Sequence, residues 1–186
     1  MSGQVPKGKQ RASQAKIEDV AEFYQTIDRR NLIHKISPVR PYVYTTMEVY
    51  DQANGIRGAG GLGVLAADTR RVAEDLEIPF VTLTPFYQTE RHQRLEKLEP
   101  HDDYVSRSPE AEGFRAIGQV ALHIKDKPDA TLDIYQKQLG SSRFLCMTEP
   151  NFGPLYCDTP SSDHRLYQMT SLGFGGYAAL KMADLK

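Results

Sequence analysis

The chain reads as an α/β domain, a mixed sheet with flanking helices, on three observations. Residues 41–49, PYVYTTMEV, are β-branched and aromatic, the composition of a buried strand. Leu62, Leu65, Ala66, Thr69, Val72, Ala73 and Leu76 then recur at helical spacing, which predicts a helix from about 61 to 77. PFVTLT, residues 79–84, is a second strand, and Pro79 bars the helix from running into it. Strand, loop, helix, strand is the unit of a parallel sheet with a right-handed crossover.

The other elements follow in chain order. Residues 1–16 carry four basic residues, no acid and no apolar run, and read as a flexible tail or basic arm. Ile17, Val20, Tyr24 and Ile27 form one helical stripe within 14–31, so residues 17–186 are taken as one domain. Residues 51–60, DQANGIRGAG, make a loop. Residues 88–112 are polar and read as an excursion over the surface. Three strand-like runs come next, 114–124, 131–139 and 142–148, with a turn at KDKPDA between the first two. NFGPLYCDTPSSD is a loop. A last helix, about 162–183, carries Leu166, Met169, Thr170, Gly173, Tyr177 and Leu180. An alternating chain would place another strand after that helix, so the sequence is expected to be a piece of something larger.

Composition excludes several classes. A length of 186 residues suits one domain with a real core. A net charge of −1 gives no argument for nucleic acid or an anionic membrane. No apolar run approaches the roughly 20 residues that span a bilayer, and the N-terminus lacks the apolar region of a secretory signal. Two cysteines, Cys146 and Cys157, point to free thiols in a reducing cytoplasm. Their spacing, even with His164, does not suit structural zinc. His34, His92, His101 and His123 are scattered and give no metal-ligand pattern.

The informative stretch is Gly58-Ala59-Gly60-Gly61-Leu62-Gly63 at the head of the first clear helix. It matches G-x-G-x-x-G to the letter, but a dinucleotide site also needs the first glycine at the strand end and an acid closing the second strand. About nine residues separate the strand from Gly58, and Thr82-Leu83-Thr84 holds no acid. A phosphate or sugar site asks less. Glycines let a ligand approach the backbone, and the first amides of a helix are unpaired donors at its positive end. The remaining reading is that the glycines merely permit close packing of helix on strand.

Further blocks add a family resemblance. GGLGVLAAD resembles the loop GGLG-x-LA-x-D of the α-glucan (glycogen, starch and maltodextrin) phosphorylases, above all their short bacterial and archaeal forms. Val72-Ala73-Glu74-Asp75-Leu76-Glu77 is similar to their S-A-x-D-L-G, and Tyr44-Thr45-Thr46-Met47-Glu48-Val49 to their Y-x-S-x-E-F strand. Asp163-His164-Arg165-Leu166-Tyr167-Gln168, continuing through Gly173-Phe174-Gly175-Gly176-Tyr177-Ala178-Ala179-Leu180, resembles the E-H-R-L-R-Q-E … G-I-G-G-x-R-A-L helix. Three blocks stand in the family's order over about residues 41–181. Departures are clear: no tryptophan, no H-x-N-E-G-H after Leu180, Met169 in place of an acid, and Thr82-Leu83-Thr84 in place of a glycine-rich strand end.

The resemblance implies the N-terminal, Rossmann-like half of a GT-B glycosyltransferase, in which two such domains face a cleft. Phosphate attacks a terminal α-1,4-glucosyl bond and releases glucose 1-phosphate with retention. Pyridoxal phosphate is held by a lysine of the second domain, which this chain lacks. By motif match, Gly60, Gly61, Leu62 and Gly63 turn amides toward the phosphate and glucosyl side, while Glu48 and Tyr50 sit near the cofactor. The implied partners are an α-glucan, phosphate or glucose 1-phosphate, and a second lobe, partner chain or homodimer. Two alternatives stay open: a sugar-phosphate-binding or regulatory module without chemistry, and a lobe of the glycogen or starch synthase type.

Other residues carry plainer readings. Glu48 is a functional carboxylate or the partner of an arginine such as Arg57. Tyr50 reads first as a packing residue. Asp68 suits an i,i+3 pair with Arg71, and Arg70 and Arg71 read as a solvated face. His164 and Arg165 fit helix-start capping or a place near the cleft. Gly173, Gly175 and Gly176 cost a helix about 1 kcal/mol each against alanine, which points to close packing.

Overall fold

The computed structural model describes residues 35–58, 60–124, 129–155 and 162–185. The helix expected over 14–31, its tail, the centre of the KDKPDA turn and Cys157 lie outside the described residues. A first compact unit is Ser37–Lys186. The first unit is built from β1 (Tyr42–Thr45), α1 (Gly60–Asp75), β2 (Phe80–Pro85), β3 (Thr89–Glu96), β4 (Glu99–Ser106), β5 (Arg115–Leu122), β6 (Ala130–Leu139), β7 (Ser142–Thr148) and α2 (Ser162–Met182). The five-stranded sheet has the order β1-β2-β7-β6-β5, with β1, β2 and β7 parallel and β6 and β5 antiparallel. The strand–helix–strand unit expected around the glycines is therefore present, in a mixed α/β sheet.

Burial explains the central strands. Every residue of β2 is buried, as a parallel strand covered on both faces requires. Along β7 the side chains alternate between two cores. Phe144 and Cys146 join Ala66 and Ala67 of α1, while Leu145 and Met147 join Leu172 and Ala179 of α2. The helices thus cover opposite faces of the sheet. The Cys146 thiol is free, and burial pushes its pKa well up, which makes it inert.

Both helices turn mainly small residues toward the sheet. The buried residues of α1 are Gly63, Ala66, Ala67, Arg70 and Ala73, whereas Leu65, Val72 and Leu76 stay more than half exposed. In α2 a Cβ on Gly175 would run into Leu132, and one on Gly176 into Leu83. Small residues let the helix lie close on the sheet, while Leu166, Met169 and Tyr177 face outward. The packing expected for Gly175 and Gly176 holds. Gly173 meets nothing within 4 Å.

Within the polar excursion over 88–112 the chain forms two strands that the sequence reading did not assign. β3 and β4 pair antiparallel as a separate hairpin around Lys97 and Leu98, both at positive φ. Its position was foreseen, since β4 is almost wholly exposed. Ion pairs such as Arg91–Asp102 and Arg94–Asp103 cross between its strands. Neither face is apolar, so the period-2 signal of a half-buried strand is missing.

Candidate functional site

The site lies where β1 and β2 deliver their carboxyl ends, the usual ligand edge of a parallel α/β sheet. β1 stops at Thr45, so Glu48 and Tyr50 lie beyond it rather than on the strand. Asp51 then closes a tight loop. Its N–H donates to the Ile56 carbonyl at 3.0 Å, and the Ile56 N–H returns the bond at 3.0 Å. Gly55 completes this loop at φ 70, a left-handed turn that glycine adopts without strain.

The Asp51 carboxylate is fully buried and accepts from Asn54 Nδ2 at 2.9 Å, Arg70 Nη2 at 3.0 Å and Arg71 Nη2 at 2.7 Å. Burial pushes its pKa up, but the hydrogen bonds from Asn54, Arg71 and Arg70 outweigh that and hold the carboxyl below its ordinary value. Arg70 is consequently not on a solvated face. It is 3% exposed and also reaches Glu74 Oε2 at 2.6 Å. Arg71 is half-exposed, bridging Asp51 and Asp68, which bears out the Asp68–Arg71 pair.

The glycines divide by what surrounds them. A Cβ on Gly58 would run into the Val49 carbonyl oxygen. One on Gly63 would stand 3.0 Å from the Tyr50 nitrogen, whose N–H donates to the Gly63 carbonyl at 3.0 Å. Gly60 enters the helix at φ 80. These three have reasons within the chain. Gly61 has none among the described residues: a Cβ there would meet nothing of them within 4 Å. Gly60, Gly61 and Leu62 are exposed, and the first turn of α1 carries no acid.

Two adjoining cavities lie at the same edge. A narrow one, about 50 Å³, is bounded by Glu48, Gly58, Thr84, Phe86 and Phe114. A wider groove of about 820 Å³ is bounded by Tyr50, Gln52, Arg57, His92 and Ser108. Arg107 and Glu90 belong to both. Glu48 is buried at the narrow cavity, and Tyr50 donates its hydroxyl to Gln52 Oε1 at 3.2 Å on the groove. Gly60, Gly61, Leu62 and Gly63 line neither space; their helix start flanks the groove through Tyr50 and Gly58.

Arg107 is the hub that the sequence did not disclose. It forks onto Glu112, Nε to Oε1 at 2.8 Å and Nη2 to Oε2 at 3.0 Å, and donates from Nη2 to the Arg57 carbonyl at 2.6 Å. Its guanidinium lies 4.8 Å over the Phe86 ring. The signal was half present in R-S-P-E-A-E, a charge pair five residues apart, but Arg57 is 50 residues away. His164 and Arg165 resolve toward structure. Gln168 Nε2 bonds the Phe152 carbonyl at 2.7 Å and His164 Nε2 at 3.0 Å, and Arg165 holds the Leu155 carbonyl at 2.9 Å, so this block ties the β7–α2 connection down.

Comparison with protein-family models, with curated proteins and with solved structures gives no match. Among the described residues no helix is long and apolar enough to cross a membrane, and no group of histidine, cysteine and acidic side chains could hold a metal ion.

Proposed function

We propose that this chain is a phosphate-binding lobe of an α-glucan phosphorylase-like glycosyltransferase of the GT-B type. Gly61 carries the reading. A glycine in a helix costs up to about 1 kcal/mol against alanine, and among the described residues nothing requires one here. A ligand brought against the amides of Gly60, Gly61 and Leu62 does require it, because a side chain would hold an anion off those donors. Support comes from the position at the carboxyl edge of the parallel strands, the adjoining groove and the three sequence blocks that resemble those of the family. The outward apolar faces of α1 and α2 suit a lobe that meets further protein surface.

In this role the amides donate to phosphate oxygens without supplying a proton. An oxygen of phosphate bonds to the anomeric carbon, the glycosidic carbon–oxygen bond breaks, and the leaving glucan oxygen takes the proton that phosphate gives up. The developing positive charge on the sugar is then flanked by an anion that fixed dipoles hold in place. Pyridoxal phosphate does not find its anchor among the described residues: no lysine lines either cavity, and Lys137 is committed to the Asn54 and Glu112 carbonyls at 2.7 and 2.6 Å. Glu48 and Tyr50 are the side chains that would face it from this lobe.

Calorimetric titration of glucose 1-phosphate and of inorganic phosphate into wild type, Gly61→Ala and Gly61→Val tests the reading. The expected result is binding to wild type and at least roughly tenfold loss in both variants, with folding intact. Equal affinity in all three proteins would remove the amide cradle. Because pyridoxal phosphate finds no anchor in this lobe, binding and not phosphate release is the readout.

A further inference from the structure

We infer that Arg107 and Glu112 are positioning residues that hold the glycine loop in the conformation presenting the amides of α1, an inference that rests on the phosphate-binding reading above. The backbone of residue 57, directly before Gly58, is held at both its N–H and its carbonyl. Its N–H donates to Glu112 Oε2 at 3.3 Å and its carbonyl accepts from Arg107 Nη2 at 2.6 Å. The gripping side chains are 7% and 8% exposed and lock each other by two parallel bonds, so neither can swing without breaking the pair.

The clamp is referenced to the sheet. Arg107 stacks on Phe86, whose N–H donates to the Met147 carbonyl of β7 at 2.7 Å. The Glu112 carbonyl accepts from Lys137 of β6 at 2.6 Å, and the same ammonium holds the Asn54 carbonyl at 2.7 Å. Downstream, the loop is fixed where the Gly63 carbonyl meets the Tyr50 N–H. A loop rich in glycine has large conformational freedom to lose on binding an anion. Fixing residue 57 from outside removes part of that cost in advance.

The test uses the full 186-residue chain. Arg107→Lys keeps a cation over Phe86 but cannot fork to Glu112 and reach the Arg57 carbonyl together. Amide hydrogen exchange without ligand should become about tenfold faster at Arg57 and Tyr50, whose N–H groups are bonded to Glu112 and to the Gly63 carbonyl, with β2, β6 and β7 as protected as in wild type. Affinity for glucose 1-phosphate should fall about tenfold at an unchanged denaturant midpoint. Unchanged exchange at Arg57 and Tyr50 overturns the inference, as does general loosening of the sheet. If Arg107→Lys loses its circular dichroism spectrum, Glu112→Gln decides by the same readout. If wild type binds neither glucose 1-phosphate nor phosphate, the phosphorylase reading fails, and the exchange pattern alone still decides whether the clamp holds the loop.

Discussion

At the level of single residues, Gly61 and Gly63 separate function from packing. Gly61→Ala should leave stability unchanged or raise it by up to about 1 kcal/mol, because the new methyl meets open space and alanine favours the helix. Gly63→Ala should cost about 1–2 kcal/mol, because the methyl presses on the Tyr50 backbone. Urea unfolding of both variants measures this. Asp51 supplies a pH dependence. Its native pKa lies below its ordinary 3.8, so its contribution is complete above that value and is lost as pH falls through the lower native pKa. Wild-type stability should therefore drop on the acid side of 3.8, and Asp51→Asn should lack that share. At neutral pH the same variant should be about 3–5 kcal/mol less stable, since buried Arg70 loses its fully buried partner.

At the level of elements, the helices show why period and face are separate matters. The large apolar residues of α1 located the helix to within two residues at each end, yet the sheet takes the alanine and glycine side instead. Periodicity reports that a helix has a stripe; it does not report which neighbour lies against it. The left-handed residues that close both helices were not legible. Glu77 and Asp184 hold left-handed positions at φ 55 and 54, where helices usually place glycine. The bonds Ile78 N–H to the Ala73 carbonyl and Leu185 N–H to the Leu180 carbonyl close these turns at 2.8 and 2.9 Å. In the resembling family motif S-A-x-D-L-G the position of Glu77 is glycine. Glu77→Gly should accordingly raise the thermal midpoint, by roughly 0.5–1 kcal/mol in stability, where a glycine in a right-handed position would lower it. The β3–β4 hairpin stayed hidden for a different reason: its strands are stitched by charges on both faces, and charge pairs carry no period.

At the level of the whole molecule, two cores on opposite faces of one sheet share β7 as their wall. Phe144 is 1% exposed and packs edge-on to Phe114 at 5.2 Å. Phe144→Ala should cost about 3–5 kcal/mol, read as a lower urea midpoint. It should also loosen the narrow cavity that Phe144 and Phe114 border. Alkali acts on the same core. Burial, then the hydrogen bond to Glu110 at 2.9 Å, pushes the Tyr135 hydroxyl up to about 12. Its contribution is complete below the ordinary value of 10 and is lost as pH rises through the native one.

The sequence alone determined the strand–helix–strand unit, its parallel pairing, the three later strands and the glycine-headed helix. These are local matters of period, proline and glycine, set within about twenty residues by backbone geometry. Tertiary structure decided which helix face is inside, that Arg70 is buried, and that Arg107 reaches back to grip residue 57. Those outcomes depend on side chains that meet only after the chain has closed loops of 50 residues and more. Burial then fixes which charges must find each other, because an unpaired charge inside the fold costs far more than a chance contact on its surface returns.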